Sequence, residues 1–183
     1  MKKEVLREEL KKIIKEKSLQ TNVERVLTSG RTSNYYIDCK MTTLDPKGAN
    51  ILGRLILEIL KDYDLDAIGG FTLGADPIVS AVAALSAETD RPLPAFIVRK
   101  EPKKHGERKM IEGPFKPGWK VCVVDDVVTT AGSTLKACQA VEEEGGIVAL
   151  TLTIVDRQEG GRENLEAKGY KLISLLTRDE LLK

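Results

Sequence analysis

The sequence lacks features that mark several large classes of protein. Its three cysteines, Cys39, Cys122 and Cys138, are odd in number and have no CxxC spacing, so they indicate neither a disulfide framework nor a zinc site. No run approaches the ~20 apolar residues of a membrane span, and the highly charged residues 1–17 are unlike a secretory signal. We therefore expect reduced thiols, a cytoplasmic location and no membrane partner.

Net charge is also nearly absent. The chain has 29 basic and 28 acidic residues, which gives a formal charge of +1 at pH 7. A protein that binds nucleic acid or an anionic membrane through its overall charge needs a basic surface. The composition therefore predicts no nucleic-acid partner.

A nucleoside-triphosphate loop is missing as well. The pattern GxxxxGK[ST], whose Lys neutralises the terminal phosphates, occurs nowhere in the chain. Residues 121–134 instead read VCVVDDVVTTAGST, which predicts a buried strand that ends at Asp125 and Asp126 and turns through a short loop into a helix. A parallel strand delivers its last side chains to the sheet edge where open α/β folds bind ligands. Backbone N–H groups at a helix N-terminus attract an anion there.

The chemistry of this segment suits a phosphorylated sugar. Its hydroxyls and backbone donors can hold one phosphate monoester, and ionised carboxylates, which only accept hydrogen bonds, suit the paired hydroxyls of a ribose. The hydroxyls belong to Thr129, Thr130, Ser133 and Thr134. The alternative is an ordinary strand, loop and helix whose carboxylates are merely solvated.

Length and composition predict one domain over residues 1–183, because a chain of this size with 42% hydrophobic residues can bury a single core. Apolar spacing predicts an amphipathic helix over residues 2–17, and Asp45-Pro46 predicts the start of a helix that runs to about Lys61. The other predicted elements are helices at 76–86 and 133–144, strands at 67–69, 95–98, 121–124 and 147–155, and a hairpin of 26–29 and 35–39 around a turn at 30–34. This alternation predicts an α/β fold with a parallel sheet.

Residues 100–117 form the least sheet-like stretch, rich in Lys, Arg, Gly and Pro and poor in apolar side chains. A loop of this length inside a compact domain is usually functional or disordered. It leaves the strand just before the Asp125 strand, so we expect its cations to close as a lid over a diphosphate. His105, the single histidine, is a candidate donor to the leaving group. The alternative is a solvated basic loop with an incidental histidine.

Four segments together resemble a known family. The segment VVDDVVTTAGST, residues 123–134, resembles the phosphoribosyl-diphosphate motif of type I phosphoribosyltransferases. The segments LTSGRTSNYYID (27–38), RKEPKKHG (99–106) and DRQE (156–159) make the chain similar to the orotate phosphoribosyltransferases over essentially its whole length. The resemblance implies an α/β fold of the type I phosphoribosyltransferase kind. Its parallel sheet is flanked by helices, with a small N-terminal hood (1–45) and a flexible catalytic loop (100–117).

The resemblance also implies an activity and a set of site residues. Members of the family transfer the phosphoribosyl group of 5-phosphoribosyl 1-diphosphate to orotate, which gives orotidine 5′-monophosphate and diphosphate in de novo synthesis of UMP. Matching positions imply that the catalytic residues are Lys103, His105, Asp125 and Asp126. They imply that phosphoribosyl diphosphate is bound by Arg99, Lys100, Lys103, His105, Asp125, Asp126, Val127, Val128, Thr129, Thr130, Ala131, Gly132 and Ser133. They imply that orotate is bound by Tyr36, Ile37, Thr129 and Arg157.

A cofactor and a partner follow from the same resemblance. Mg²⁺ is implied, held mainly by substrate oxygens and water rather than by protein ligands. A homodimer is implied in which the loop of one subunit serves the active site of the other. Residues 69–77 would let backbone amides approach the diphosphate, or they form a simple turn. The chain departs from the family at Thr28 and Leu73, where many members have Lys, and at Ile37, where an aromatic residue is common.

Other functions remain open at this point. A purine transferase would share residues 123–134 but would lack the SGRTS hairpin and carry a late aromatic residue, whereas the late segment here has only Tyr170. A non-catalytic RNA-binding regulator on this fold would show a basic face, and a sugar-phosphate binding module would show no turnover. For Arg157 the alternative is a surface ion pair with Asp156 or Glu159.

Overall fold

The computed structural model describes residues 2–26, 32–101 and 109–183. Its helices are α1 (Lys3–Lys17), α2 (Lys40–Thr43), α3 (Pro46–Leu60), α4 (Asp76–Ser86), α5 (Gly132–Glu143), α6 (Gly161–Glu166) and α7 (Arg178–Leu182). Its strands are β1 (Leu19–Val26), β2 (Thr32–Ile37), β3 (Ala67–Phe71), β4 (Ala95–Val98), β5 (Ile111–Glu112), β6 (Lys120–Val128), β7 (Ile147–Asp156) and β8 (Leu172–Thr177).

The central sheet has the strand order β5-β4-β3-β6-β7-β8. Strands β4, β3, β6, β7 and β8 are parallel, and β5 pairs antiparallel with β4 at one edge. Strands β1 and β2 form a separate antiparallel pair near the N-terminus. The predicted α/β fold, a mostly parallel sheet flanked by helices, is confirmed.

Several elements form for the reasons that the sequence offers. Helix α1 buries Leu6, Leu10, Ile13 and Ile14 at helical spacing, whereas Val5 is exposed. Helix α3 begins after Asp45, whose side chain accepts a 2.9 Å hydrogen bond from the N–H of Gly48. Pro46 is the first residue of α3, where its missing N–H group costs no hydrogen bond within the helix.

Strand β6 runs through the middle of the sheet, and its successive side chains alternate between two hydrophobic layers. Cys122 and Val124 pack in the layer that holds α1, α3 and α4, whereas Val121 and Val123 pack in the layer that holds α5. Because helices cover both faces of the sheet, residues 121–124 of this strand are all apolar. The alternation continues past Val124, so Asp125 and Asp126 lie on opposite faces of the sheet.

Five elements were not predicted from the sequence: α2, β5, α6, β8 and α7. Strand β6 also runs on to Val128, beyond the predicted end at Val124, so it carries both carboxylates inside the strand. The predicted loop 100–117 contains β5, where Ile111 is buried, and the Phe115 ring contacts the Phe96 ring edge-on at 5.2 Å. The C-terminal part of the predicted loop therefore packs against the sheet.

Some predictions fall outside the described residues. Lys103 and His105 lie in 102–108, and most of the first predicted hairpin strand and the start of its turn lie in 27–31. The described part of the hairpin differs from the prediction, because β1 already ends at Val26 and residues 32–34 of the predicted turn belong to β2. All three cysteines of the chain are described, and they are free and buried. Burial raises the pKa of each thiol above its ordinary range. Within the described parts of the chain, no helix is both long and apolar enough to cross a bilayer.

Candidate active site

Asp125 is held beneath the first turn of α5. Its Oδ2 accepts a 2.8 Å hydrogen bond from Thr134 Oγ1, and its Oδ1 accepts a 2.9 Å bond from the N–H of Asp126. Burial, followed by the negative charge of Asp126, raises the pKa of Asp125 above its ordinary value, although the Thr134 bond opposes this shift. Asp125 is therefore a desolvated carboxylate whose two oxygens both accept hydrogen bonds from the protein.

The raised pKa leads to a prediction for stability. An Asp whose pKa is raised by folding destabilises the folded state once it is ionised, and this penalty fades as falling pH protonates it. We expect Asp125→Asn to raise the free energy of unfolding by about 2 kcal/mol near pH 8, or roughly 4–8 °C in Tm. The gain should shrink below neutral pH and vanish near pH 4, around the ordinary pKa of Asp. Thermal melts across this pH range measure it.

Asp64→Asn is the matched control, because Asp64 is exposed and forms ion pairs with Arg91 and Lys120 at the opposite edge of the sheet. Surface pairs contribute about 1 kcal/mol or less, so this variant should change Tm little. Loss of stability in Asp125→Asn at every pH would show that the Asp125 carboxylate is a net stabilising hydrogen-bond partner.

Asp126 lies on the other face of β6, toward the N-terminal elements. Its Oδ1 accepts a 2.9 Å hydrogen bond from the N–H of Val127, and its Oδ2 lies 3.7 Å from Lys40 Nζ. Lys40 Nζ also lies 2.9 Å from Asp38 Oδ1. A Cβ atom at Gly74 would lie 2.6 Å from Asp126 Oδ1, so the loop after β3 can approach this carboxylate only because residue 74 is glycine. The Asp126 side chain is 16% exposed and is the more accessible of the two carboxylates.

The loop between β6 and α5 turns sharply at Ala131, which has a left-handed φ of 65°. The exposed residues Thr130, Gly132 and Ser133 surround the N-terminus of α5. The first N–H groups of an α-helix have no partner inside the helix, so this end is open to an anion. Thr134, one of the four predicted hydroxyl donors, instead points inward to Asp125.

The glycine-containing loop after β3 joins the same edge. A Cβ atom at Gly70 would lie 2.1 Å from the carbonyl oxygen of Val124, so β3 and β6 approach too closely for any side chain there. Thr72 Oγ1 donates a 2.7 Å hydrogen bond to Asp76 Oδ2, and the Thr72–Leu73 peptide bond is cis. The second oxygen of Asp76 is buried without a hydrogen-bond partner among the described residues. Through Gly74, this loop lies against the side chain of Asp126.

Arg157 follows β7 and lies beside the β6 loop, where its N–H donates a 2.9 Å hydrogen bond to the carbonyl of Val128. Its Nε donates a 2.9 Å hydrogen bond to Glu159 Oε1, which also accepts a 3.3 Å bond from the Tyr35 hydroxyl. The guanidinium lies 4.6 Å from the centroid of the Tyr35 ring. The ion pair with Glu159 weighed from the sequence thus forms, but the Arg157 side chain is only 5% exposed, so the pair is not a surface contact. Asp156 instead pairs with Arg162, at 3.3 Å.

The remaining candidates are placed as follows. Ile37 is buried in the core layer of α1 and α3, whereas Tyr36 is half-buried. Arg99, at the end of β4, donates from Nη1 to Glu112 Oε1 on β5 at 3.1 Å, and Lys100 beside it is exposed.

Sequence reasoning gave no role to Tyr35 or Lys40, and it gave Glu159 only as an alternative ion-pair partner of Arg157. Tyr35 and Glu159 support Arg157, and Lys40 lies beside Asp126. Glu159 was readable as a partner because it lies two positions after Arg157. The Lys40 contact joins distant parts of the chain, and no local pattern indicates it.

Comparisons with known proteins agree with this geometry. No family model matches the chain. The orotate phosphoribosyltransferase of Aquifex aeolicus is 48% identical over 178 residues, which covers 96% of this chain and 97% of the relative. A crystal structure of Mycobacterium tuberculosis orotate phosphoribosyltransferase in complex with Fe(III) dicitrate is 39% identical with a TM-score of 0.85, and it covers 96% of this chain and 98% of its own.

A second crystal structure of the M. tuberculosis enzyme, in complex with 5-phospho-alpha-D-ribosyl 1-diphosphate, has 36% identity and a TM-score of 0.81. It covers 97% of this chain and 99% of its own. Identity at this level over nearly complete chains means that the protein belongs to the orotate phosphoribosyltransferase family.

Proposed function

We propose that the protein transfers the phosphoribosyl group of 5-phosphoribosyl 1-diphosphate to orotate, giving orotidine 5′-monophosphate and diphosphate in de novo pyrimidine synthesis. The main support for this proposal is the set of residues that meet at the carboxyl edge of the sheet. There the part-exposed Asp126 carboxylate, the open N-terminus of α5 and the buried Arg157 lie on neighbouring segments of β6, α5 and β7.

The sugar half of the substrate binds between β6 and α5. The 5′-phosphate takes the N-terminus of α5, where the N–H groups and the Thr130 and Ser133 hydroxyls can donate to it. The ribose hydroxyls donate to Asp126, which lies at the surface of the cleft. Asp125 supports the floor of this site from beneath, because both of its oxygens are bonded within the protein.

The base half binds at Arg157. A planar guanidinium with several N–H donors suits a planar heterocycle that carries a carboxylate and carbonyl oxygens. Glu159 and the Tyr35 ring fix the plane of this guanidinium before the substrate arrives. Pre-organisation of this kind lowers the entropic cost of binding.

The reaction forms a bond between C1 of the ribose and a ring nitrogen of orotate and breaks the bond from C1 to the diphosphate oxygen. Positive charge develops on the sugar as in glycoside cleavage, and negative charge develops on the leaving group. Asp126 stabilises the positive charge, and Arg99, Lys100, Lys103 and His105 neutralise the diphosphate. Closure of the loop that carries Lys103 and His105 keeps water from the activated sugar.

Mg²⁺ fits this site as a cofactor held mainly by the substrate. Asp126 offers a part-exposed carboxylate oxygen, the kind of hard ligand that Mg²⁺ prefers. Within the described parts of the chain no group of three or more His, Cys, Asp or Glu side chains could hold a metal ion. When bound, the ion would neutralise charge on the diphosphate.

An assay with orotate, phosphoribosyl diphosphate and Mg²⁺ tests the proposal through loss of orotate absorbance and release of diphosphate. Adenine, hypoxanthine and uracil serve as competing bases. Turnover of one of these bases in place of orotate would replace the proposal with a different base specificity. Binding of the sugar diphosphate without turnover of any base would show that the protein is a sugar-phosphate binding module and not a transferase.

Arg157→Ala is expected to act on the base half of the site. We expect the KM for orotate to rise at least about tenfold, because a charge-assisted bidentate contact is worth roughly 1.5–3 kcal/mol. The KM for phosphoribosyl diphosphate should change less than about twofold, since Arg157 makes no contact with the sugar in this proposal. Steady-state kinetics with each substrate varied in turn measures both constants.

Arg162→Ala provides the matched control for that experiment. Arg162 pairs with Asp156 and donates to the Leu172 carbonyl and the Ser174 hydroxyl, so its loss removes a comparable set of contacts just beyond the site. It should leave both KM values nearly unchanged. A rise confined to the KM for the sugar diphosphate in Arg157→Ala would show that the base binds elsewhere.

The proposed assembly is a homodimer in the cytoplasm, with residues 100–117 of each subunit serving the site of the other. The apolar side chains Met41, Leu44 and Leu73 support it, because they are exposed on α2, after α2 and on the loop after β3. These segments flank Lys40 and Asp126, so a second copy that covers them would bring its own loop to this site.

A further inference from the structure

The ammonium group of Lys40 lies in the cleft between the N-terminal hairpin and the sheet. Lys40 is the first residue of α2, separated from β2 by Asp38 and Cys39, and its side chain is 37% exposed. Its Nζ lies 2.9 Å from Asp38 Oδ1 and 3.7 Å from Asp126 Oδ2. The backbone N–H of Lys40 donates a 3.1 Å hydrogen bond to the same Asp38 oxygen, which fixes that carboxylate against the turn. Asp38, Lys40 and Asp126 thus form a connected series from the hood to the sheet.

The Lys40 ammonium group lies at ion-pair distance from two carboxylates, Asp38 and Asp126. Within the described ranges, Lys40 is the only cation at ion-pair distance from Asp126. The other oxygen of Asp126, Oδ1, accepts a hydrogen bond from the Val127 N–H. Lys40 therefore lies beside the Asp126 oxygen that does not accept this bond.

Two departures of the sequence from the family pattern also bear on the role of Lys40. The chain has Thr28, which lies outside the described residues, and Leu73 where many orotate enzymes have Lys, so these two cationic contacts are missing or supplied by other residues. Leu73 precedes Gly74, the residue that touches Asp126, and its apolar side chain is exposed. Lys40 brings a positive charge to the same carboxylate from the opposite side, on a different segment of the chain.

We propose that Lys40 is a positioning residue for the phosphoribosyl-diphosphate half of the site, anchored by Asp38 and acting on Asp126. It orients the Asp126 carboxylate toward the ribose hydroxyls and offsets the repulsion between Asp125 and Asp126. It also gives the cleft a positive charge for an anionic sugar diphosphate. The proposal rests on the ribose-binding role that the proposed function gives to Asp126.

Lys40→Met, Lys40→Arg and Asp38→Asn test this role in the full-length protein. In Lys40→Met we expect kcat/KM for phosphoribosyl diphosphate to fall on the order of tenfold or more, as for loss of a charge-assisted contact. The KM for orotate should change less than about twofold, because Lys40 pairs with Asp38 and Asp126 whereas Arg157 pairs with Glu159. Lys40→Arg should recover most of the loss, and Asp38→Asn should show a smaller loss in the same direction.

Lys17→Met is the matched control, because it removes an ion pair of the same kind, between Lys17 and Asp45, outside the site. It should leave the kinetics of both substrates unchanged. An equal effect of Lys40→Met on both substrates, or a fall in Tm without any change in kinetics, would overturn the proposal and make the pair structural.

Direct binding separates this proposal from the reaction itself. Calorimetry with phosphoribosyl diphosphate and Mg²⁺, without a base, should show weaker binding to Lys40→Met than to the wild-type protein. If wild-type protein binds the sugar diphosphate but turns over no orotate, the proposed function fails while this comparison still decides the role of Lys40. Equal affinity and equal kcat/KM in wild type and Lys40→Met would refute the role even if orotate is turned over.

Discussion

Asp126→Asn should lower kcat on the order of a hundredfold, because a transition-state electrostatic contact is worth roughly 3 kcal/mol. The amide keeps the size of the side chain and can still accept the hydrogen bond from the Val127 N–H, so the fold should survive. The affinity for phosphoribosyl diphosphate should fall much less than kcat, since the lost charge matters most when the sugar becomes positive. Steady-state and single-turnover kinetics, with binding measured by calorimetry, separate the two effects.

The matched control is again Asp64→Asn, which removes an exposed carboxylate at the opposite edge of the sheet and should leave kcat unchanged. Comparison with Asp125→Asn adds information, because Asp125 is buried against Thr134 whereas Asp126 is part-exposed. An unchanged kcat in Asp126→Asn would mean that this carboxylate is structural and that the ribose is held elsewhere.

If the protein forms the proposed homodimer, a mixed dimer should reveal which subunit supplies the loop. Lys103→Ala removes a loop cation and Asp126→Asn damages the sheet edge, so each homodimer should be nearly inactive. If the loop crosses the interface, a heterodimer of the two has one site with both lesions and one intact site. Each purified heterodimer should then have about half the activity of a wild-type dimer. Differently tagged subunits allow its isolation and assay.

The mirror experiment places both substitutions in one subunit and pairs it with a wild-type subunit. With crossing loops each site then has one lesion, and the heterodimer should be nearly inactive. With loops that stay on their own subunit, the wild-type subunit keeps a complete site and half the activity. Finding activity in this second heterodimer and none in the first would refute the shared site.

Local signals in the sequence were sufficient for much of the fold. Helix α4 has the predicted bounds, 76–86, and β4 covers the predicted residues 95–98. Helix α7 was missed although its signal is present: Thr177 and Glu180 form a capping box, the T-x-x-E pattern of a helix start. Strand β5 has two residues and exists because it pairs with β4. No local pattern can predict such a strand.

Part of the candidate site could likewise be predicted from local sequence, and part of it could not. The adjacent Asp125 and Asp126 were visible as a pair, but the predicted strand end at Val124 concealed their different surroundings. Inside a strand, neighbouring side chains point to opposite faces, so Asp125 packs under α5 and Asp126 faces the hood. The contact between Lys40 and Asp126 depends on how the hairpin docks on the sheet, and this is set by long-range packing. Nothing in either segment alone predicts it.

The buried thiols make the chain suitable for site-specific labelling. Only a thiolate reacts quickly with maleimides and oxidants, and Cys39, Cys122 and Cys138 are all enclosed with raised pKa values. A cysteine introduced at an exposed position such as Lys136 would be the one fast-reacting thiol in the folded protein. Fluorophores or spin labels can thus be attached without removing the native cysteines, and distances between the subunits of the proposed homodimer can be followed while substrates bind.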